Sequence, residues 1–95
     1  MTEVYTMIEV MKIWINLFDG SNFSFWKMQI EDLLYQKDLY LPLGGIERKP
    51  KKMTDEDWSE LDRKALGTIR LSLSPQVAFN IKSEGTTSSL MAALS

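Results

Sequence analysis

The stretch Phe18-Asp19-Gly20-Ser21-Asn22-Phe23-Ser24-Phe25-Trp26 constrains this chain more than any other. It reads as a tight turn, then a helix start, then a large aromatic one turn into that helix. Asp19-Gly20 is a turn dipeptide, because glycine tolerates the positive φ that turns often need. Asn22 or Ser21 is expected to cap the helix by accepting a backbone N–H bond from its first turn. Trp26, Ile30, Leu33 and Leu34 then fall on one face. Nothing in the stretch is chemically reactive, so it governs packing rather than catalysis.

The helix it opens is predicted over 22–37, with Phe23, Trp26, Ile30, Leu33, Leu34 and the Lys37 stem facing inward. Lys27 and Glu31 stand at i,i+4 on the wet side, in the less favourable order. Residues 38–53 connect. Leu39, Tyr40, Leu41 and Leu43 suit a short helical turn, limited by Pro42 and ended by Gly44-Gly45. A second long helix is predicted over 54–73. Thr54 caps it, Asp57 takes the reciprocal position of a capping-box variant, and Asp55, Glu56 and Asp57 sit where the helix dipole favours negative charge. Its buried stripe is Trp58, Leu61, Ala65, Leu66, Ile69 and Leu73. Glu60 precedes Lys64 in the favourable order. Gly67 costs ~1 kcal/mol against alanine at mid-helix, which a close helix crossing would explain. Ser74-Pro75 restarts the chain as cap and first helical residue. A short helix follows over 75–82, with Val77, Phe79 and Ile81 apolar, ended by Gly85. Thr86 or Thr87 then caps a fourth helix through Leu90, Met91, Ala93 and Leu94.

Before this lies an arm, residues 1–17. Val4, Met7/Ile8, Met11 and Trp14/Ile15 recur at helical spacing, while Ile13-Trp14-Ile15 favours an extended run. A short helix near 3–12 and extended chain over 13–18 is the reading adopted, with the arm packed on the domain. The expected fold is therefore all-α: a small helical bundle of two long and two or more short helices with an N-terminal arm.

With 95 residues the chain makes one small domain. It has no cysteine and no histidine, which removes disulfides, the usual zinc sites, Ser-His-Asp triads and Cys-His dyads. Its net charge of -2 argues against a dedicated nucleic-acid module, which shows a basic excess. No apolar run reaches the ~18 residues of a membrane span, and Glu3 and Glu9 interrupt what could be a secretion signal. A cytoplasmic protein with no membrane partner is expected.

The remaining chemistry is thin. Asp55-Glu56-Asp57 carries a D-x-D spacing, but neighbouring helical positions point apart and cannot easily share an ion. Asp19-Gly20-Ser21 has the wrong order for an aspartic-protease loop. Gly44-Gly45 lacks the Lys-Ser or Lys-Thr of a phosphate loop. No catalytic residue, metal ligand, cofactor or small-molecule substrate is expected, and the chain is read as a non-enzyme. Arg48, Lys49, Lys51 and Lys52 form a basic run that suits a solvated loop, with RNA contact or nuclear import as alternatives. Phe25 and Met28 lie off the Trp26 face and suggest a second apolar surface.

Three segments together resemble the Gag polyproteins of copia-type LTR retrotransposons. Phe18 through Met28 resembles their F-x-G-x-N-[FY]-x-x-W-[KR]-x-[KM] opening. Trp58, Asp62, Ala65, Ile69 and Leu73 match a W-x-x-x-D-x-x-A-x-x-x-I-x-x-x-L segment. Thr86-Thr87 and Leu90 match a T-x-x-[ED]-x-W-x-x-L element. The likeness covers residues 17–95 in register. It implies a capsid-type helical domain over 18–95 that self-associates, with itself or other Gag chains, into a particle packaging element RNA. It also carries over Phe18, Gly20, Asn22, Trp26, Trp58, Asp62, Ala65, Ile69 and Leu73 as fold determinants, and Leu61 of the buried stripe joins them as a fold or assembly residue. Two departures stand out. Met91 occupies the place of the family's tryptophan. The family's zinc knuckle needs Cys and His, which are absent here. The resemblance therefore suggests a truncated, degenerate or domesticated copy.

Overall fold

The computed structural model describes residues 17–95. The helix expected near 3–12 and the extended run up to residue 16 lie outside the described residues. The described chain is all-α. Helix α1 spans Phe23–Gln36, α2 Asp55–Leu71, α3 Pro75–Asn80 and α4 Thr87–Leu94, with short 3-10 turns at Leu41–Gly44 and Ile46–Arg48.

Helix α1 forms where apolar residues recur at helical spacing, and it buries Trp26, Ile30 and Leu34. Its start differs from expectation. Asn22 stands at the cap position, but in the left-handed region (φ 51°, ψ 46°) and with no side-chain cap bond. A capping side chain reaches the first-turn N–H groups from an extended backbone, so this conformation takes Asn22 out of range. Ser21 does not substitute: its hydroxyl is turned back to Asp19 Oδ1, to which it donates. At the other end Asp38 is left-handed (φ 58°), and the Leu39 N–H returns to the Leu34 carbonyl at 2.7 Å. On the outer side, Lys27 and Glu31 do not form the expected ion pair.

The connection follows the sequence reading. Buried Pro42 sits in the first 3-10 turn, and Gly45 (φ 84°) links it to the second. Helix α2 begins at Thr54, whose side chain accepts the Asp57 N–H at 3.1 Å; the reciprocal Asp57 bond is not made. It buries Trp58, Ala65, Leu66 and Ile69, while Leu61 is half-buried. Glu60 and Lys64 pair at 3.4 Å in full solvent, a contact worth a few tenths of a kcal/mol. No helix of the described residues crosses closely at Gly67. Only the guanidinium of Arg63 would meet a Cβ placed there, at 3.2 Å.

Ser74 caps α3, and Thr86 caps α4 in a box with Ser89. Phe79 is not a core residue. It is 65% exposed, with Lys82 Nζ 4.0 Å over its ring. Val77 and Ile81, four apart, share the inward face of this short element, and residue 79 is rotated roughly 200° from Val77 at 100° per residue.

One core unites these pieces. It draws Phe18, Trp26, Ile30 and Leu34 from the N-terminal side, Ala65, Leu66, Ile69 and Leu73 from α2 and its exit, and Ile81, Leu90 and Met91 from the C-terminal side. Ile30, Leu34, Ile69 and Leu90 are wholly buried, each worth about 1.5–3 kcal/mol of transfer from water. The two apolar faces read from the sequence predict that Trp26 meets the face formed by Trp58, Leu61 and Ala65. It shares the core with Ala65, but Trp58, although buried, lies outside that cluster. The reason is length: Trp58 stands about 10 Å along the α2 axis from Ala65 at 1.5 Å per residue, and α1 meets the later turns.

Candidate functional site

No catalytic constellation exists among the described residues, and no three Asp or Glu residues converge there as a metal site needs. The features with functional content are two anchoring contacts and three parts of the surface.

The first anchor is the opening turn. Asp19 Oδ1 accepts from the Ser21 hydroxyl at 2.6 Å and the Ser21 N–H at 2.9 Å. These bonds, the hydroxyl foremost, favour the ionised form and hold the Asp19 carboxyl below its ordinary value. Gly20 (φ 103°) lets the chain reverse. Phe18 then lies beside Leu73 in a single parallel bridge. Its N–H donates to the Ser72 carbonyl at 2.8 Å, and its carbonyl accepts the Ser74 N–H at 2.9 Å. Its ring stacks on Trp26 at 4.8 Å and meets Phe23 edge-on at 5.7 Å. Trp26 Nε1 is buried with no acceptor among the described residues, and the indole packs in the core through its rings.

The second anchor joins α4 to α2. Asp62 Oδ1 accepts the Thr87 N–H at 3.0 Å, and the Asp62 carbonyl accepts the Thr87 hydroxyl at 3.1 Å. Thr87 is fully buried. A carboxylate at the first turn of a helix also complements its dipole. Spacing within the chain could not reveal this pair. Asp62 stood out only through the family likeness, and Thr87 only as an alternative cap and through the same likeness.

The surface is less uniform than the net charge suggests. On the outer side of α1, Phe25, Met28 and Tyr35 are 56%, 50% and 62% exposed, with exposed Asp32 between them. Tyr35 lies flat on Tyr40, ring centres 4.1 Å apart. The basic loop is divided. Lys49 Nζ pairs with Asp55 at 3.3 Å, the Arg48 side chain lies where a Cβ on Gly44 would point, and Lys51 and Lys52 are exposed.

A second basic region, which the sequence reading missed, is an open groove of about 660 Å³. Lys37, Arg63, Lys64 and Arg70 line it together with Leu39 and Leu71, and no Asp or Glu is among the described residues that line it. Arg70 also donates to the Glu84 carbonyl at 2.8 Å. The only signal in the chain was Arg63 and Arg70 two turns apart on α2 with Lys64 beside the first, which ordinarily marks a solvated face.

No family model matches this chain, and no solved structure matches it either. Among curated proteins it is similar to the retrovirus-related Pol polyprotein from transposon TNT 1-94 of Nicotiana tabacum, 44% identical over 70 residues. The match takes in 73% of this chain but only 5% of that polyprotein's length. It falls in the N-terminal region of the polyprotein, outside any catalytic domain. No helix of the described residues is long and apolar enough to cross a membrane. On the strength of that identity, the chain belongs to the copia-type retrovirus-related polyproteins of transposons, and it corresponds to their N-terminal region.

Proposed function

We propose that this chain acts as a capsid-type Gag unit, its role non-catalytic and exercised through helix–helix self-association in particle assembly. The observation that carries this is the outer side of α1. The core-facing side already fills the interior with Trp26, Ile30 and Leu34, yet Phe25, Met28 and Tyr35 remain half or more exposed on the same helix. Contiguous exposed apolar side chains of this kind mark association surfaces. The relationship to a transposon polyprotein supports a retroelement role for the chain, and the proposed compartment is the cytoplasm.

Light scattering on the purified chain across concentrations tests the proposal. The expected result is a mean mass that climbs above 11.0 kDa as concentration rises. A strict monomer at high micromolar concentration overturns it.

A second reading, RNA contact through Arg48, Lys49, Lys51 and Lys52, draws support from the exposure of Lys51 and Lys52. The Lys49–Asp55 pair counts against it by withdrawing one cation. Such binding must fall steeply with added salt. A fluorescence titration with an oligoribonucleotide that stays flat at low salt dismisses it.

A further inference from the structure

We infer that self-association is head-to-tail: the outer stripe of α1 in one copy docks in the basic groove of a second copy. The inference rests on the self-association reading and adds which two surfaces meet.

The groove calls for an acidic, apolar occupant. Four of the chain's 11 cations line it, although the chain as a whole is net negative. Cations without carboxylates among them attract a negatively charged partner. Among the described residues Lys64 pairs with Glu60, in an exposed contact that exchanges at little cost. The apolar side chains Leu39 and Leu71, the latter 72% exposed, give the partner something to bury. Among the described residues, no aromatic lines the groove. Single-stranded nucleic-acid sites stack bases on aromatics, so the lining favours a protein partner over a nucleic acid.

The chain itself carries a surface of the required kind. Phe25, Met28, Asp32 and Tyr35 fall within about 80° of arc on α1 at 100° per residue. The spacing i, i+3, i+7, i+10 is that of a helix laid into a groove. Asp32 is exposed in the middle of the stripe, with Glu31 beside it in sequence. The stripe presents three large apolar groups around a carboxylate. The groove presents apolar side chains among cations.

A copy cannot fill its own groove. The opposite side of α1, bearing Trp26, Ile30 and Leu34, packs with Ala65, Leu66 and Ile69 of α2. The stripe therefore faces away from the helix that supplies Arg63, Lys64 and Leu71. Two different surfaces joined between copies make a heterologous contact, which leaves a free stripe at one end and a free groove at the other. It propagates as rings or open arrays rather than closing as a two-fold dimer.

Two variants of the full chain test this. One reverses the groove (Arg63→Glu with Lys64→Glu), the other the stripe (Asp32→Lys); all three positions are exposed at the surface. Each variant alone is expected to sediment as a monomer at concentrations where the parent associates. Mixed in equal amounts, they are expected to associate again. The intact stripe of the first fits the intact groove of the second, and the reversed stripe of the second, now basic, faces the reversed groove of the first, now acidic. This complementation also shows that both variants are folded. The parent's association is expected to weaken from 0.05 to 0.5 M salt, as exposed charges are screened.

If either variant associates as the parent does, the pairing is overturned while self-association stands. If both are monomeric and the mixture stays monomeric, the pairing is again overturned. A parent that never associates removes the broader reading and this one together. If groove reversal abolishes binding of an oligoribonucleotide yet leaves the parent's mass profile unchanged, the groove is a nucleic-acid site and the proposal fails.

Discussion

Two contacts hold distant parts of this chain together, and they use opposite chemistry. Phe18 is fixed to the α2 exit by main-chain bonds to Ser72 and Ser74, with its ring left free to stack on Trp26. Thr87 is fixed to α2 by a side-chain carboxylate, Asp62 Oδ1, and by its own hydroxyl. The first anchor would make its hydrogen bonds with almost any residue at position 18. Its specificity lies in ring volume. The second depends on the acceptor at 62 and the donor at 87, and its specificity lies in atom type. The Phe18 anchor should therefore respond to lost size, and the Asp62 anchor to lost polarity at nearly constant size.

The largest expected effect is on the first anchor. Phe18→Ala removes a buried ring and should lower unfolding stability by about 3–5 kcal/mol, read from urea denaturation. A loss under about 1 kcal/mol would mean that the main-chain bridge, rather than the ring, carries the contact. Next comes Asp62→Ala, which leaves the buried Thr87 N–H without an acceptor and should cost about 1–3 kcal/mol. Asp62→Asn keeps a carbonyl acceptor and should recover part of that loss. Equal losses for the two would break the distinction drawn here.

Smaller effects sharpen the same contrast at the helix starts. Thr54→Ala deletes a real side-chain cap and should cost about 1 kcal/mol. Asn22→Gly deletes no cap bond and relieves a left-handed backbone, so it should fall within about 0.5 kcal/mol of neutral. Thermal melts of the two variants side by side decide this.

The smallest effect is at Asp19. Its carboxyl is held below the ordinary value by Ser21, so its contribution is fully present above the unfolded-state value. That contribution is lost as pH falls through the lower folded-state value. Asp19→Asn should remove this acid-side pH dependence, measured as a flatter stability profile between about pH 5 and 2.

The comparison also shows which parts of the fold could be read in advance. The two long helices, the caps Thr54, Ser74 and Thr86, and the break at Pro42 and Gly45 are local. Each follows from apolar spacing or from a side-chain oxygen beside the N–H groups it serves. The misreadings share one cause. Asn22 has a capping side chain, but its backbone conformation belongs to the turn that Asp19 and Ser21 close. Phe79 looks like core by composition, and the short length of α3 turns it to solvent. Trp58 and Trp26 match as aromatics, and the point where α1 meets α2 separates them. Among the described residues Gly67 has no crossing helix beside it, only the Arg63 guanidinium at the edge of a groove.

The sequence by itself determined where the helices form, which side of each is apolar and that catalysis by cysteine or histidine is excluded. Those properties depend on residues within a turn or two of one another, or on composition alone. Only the tertiary structure decided that Phe18 bridges to Leu73, that Asp62 serves Thr87 and that Lys37 joins Arg63, Lys64 and Arg70 around one groove. Each of these depends on how rigid helices are placed relative to one another, and that placement is set by filling a shared core rather than by any local pattern.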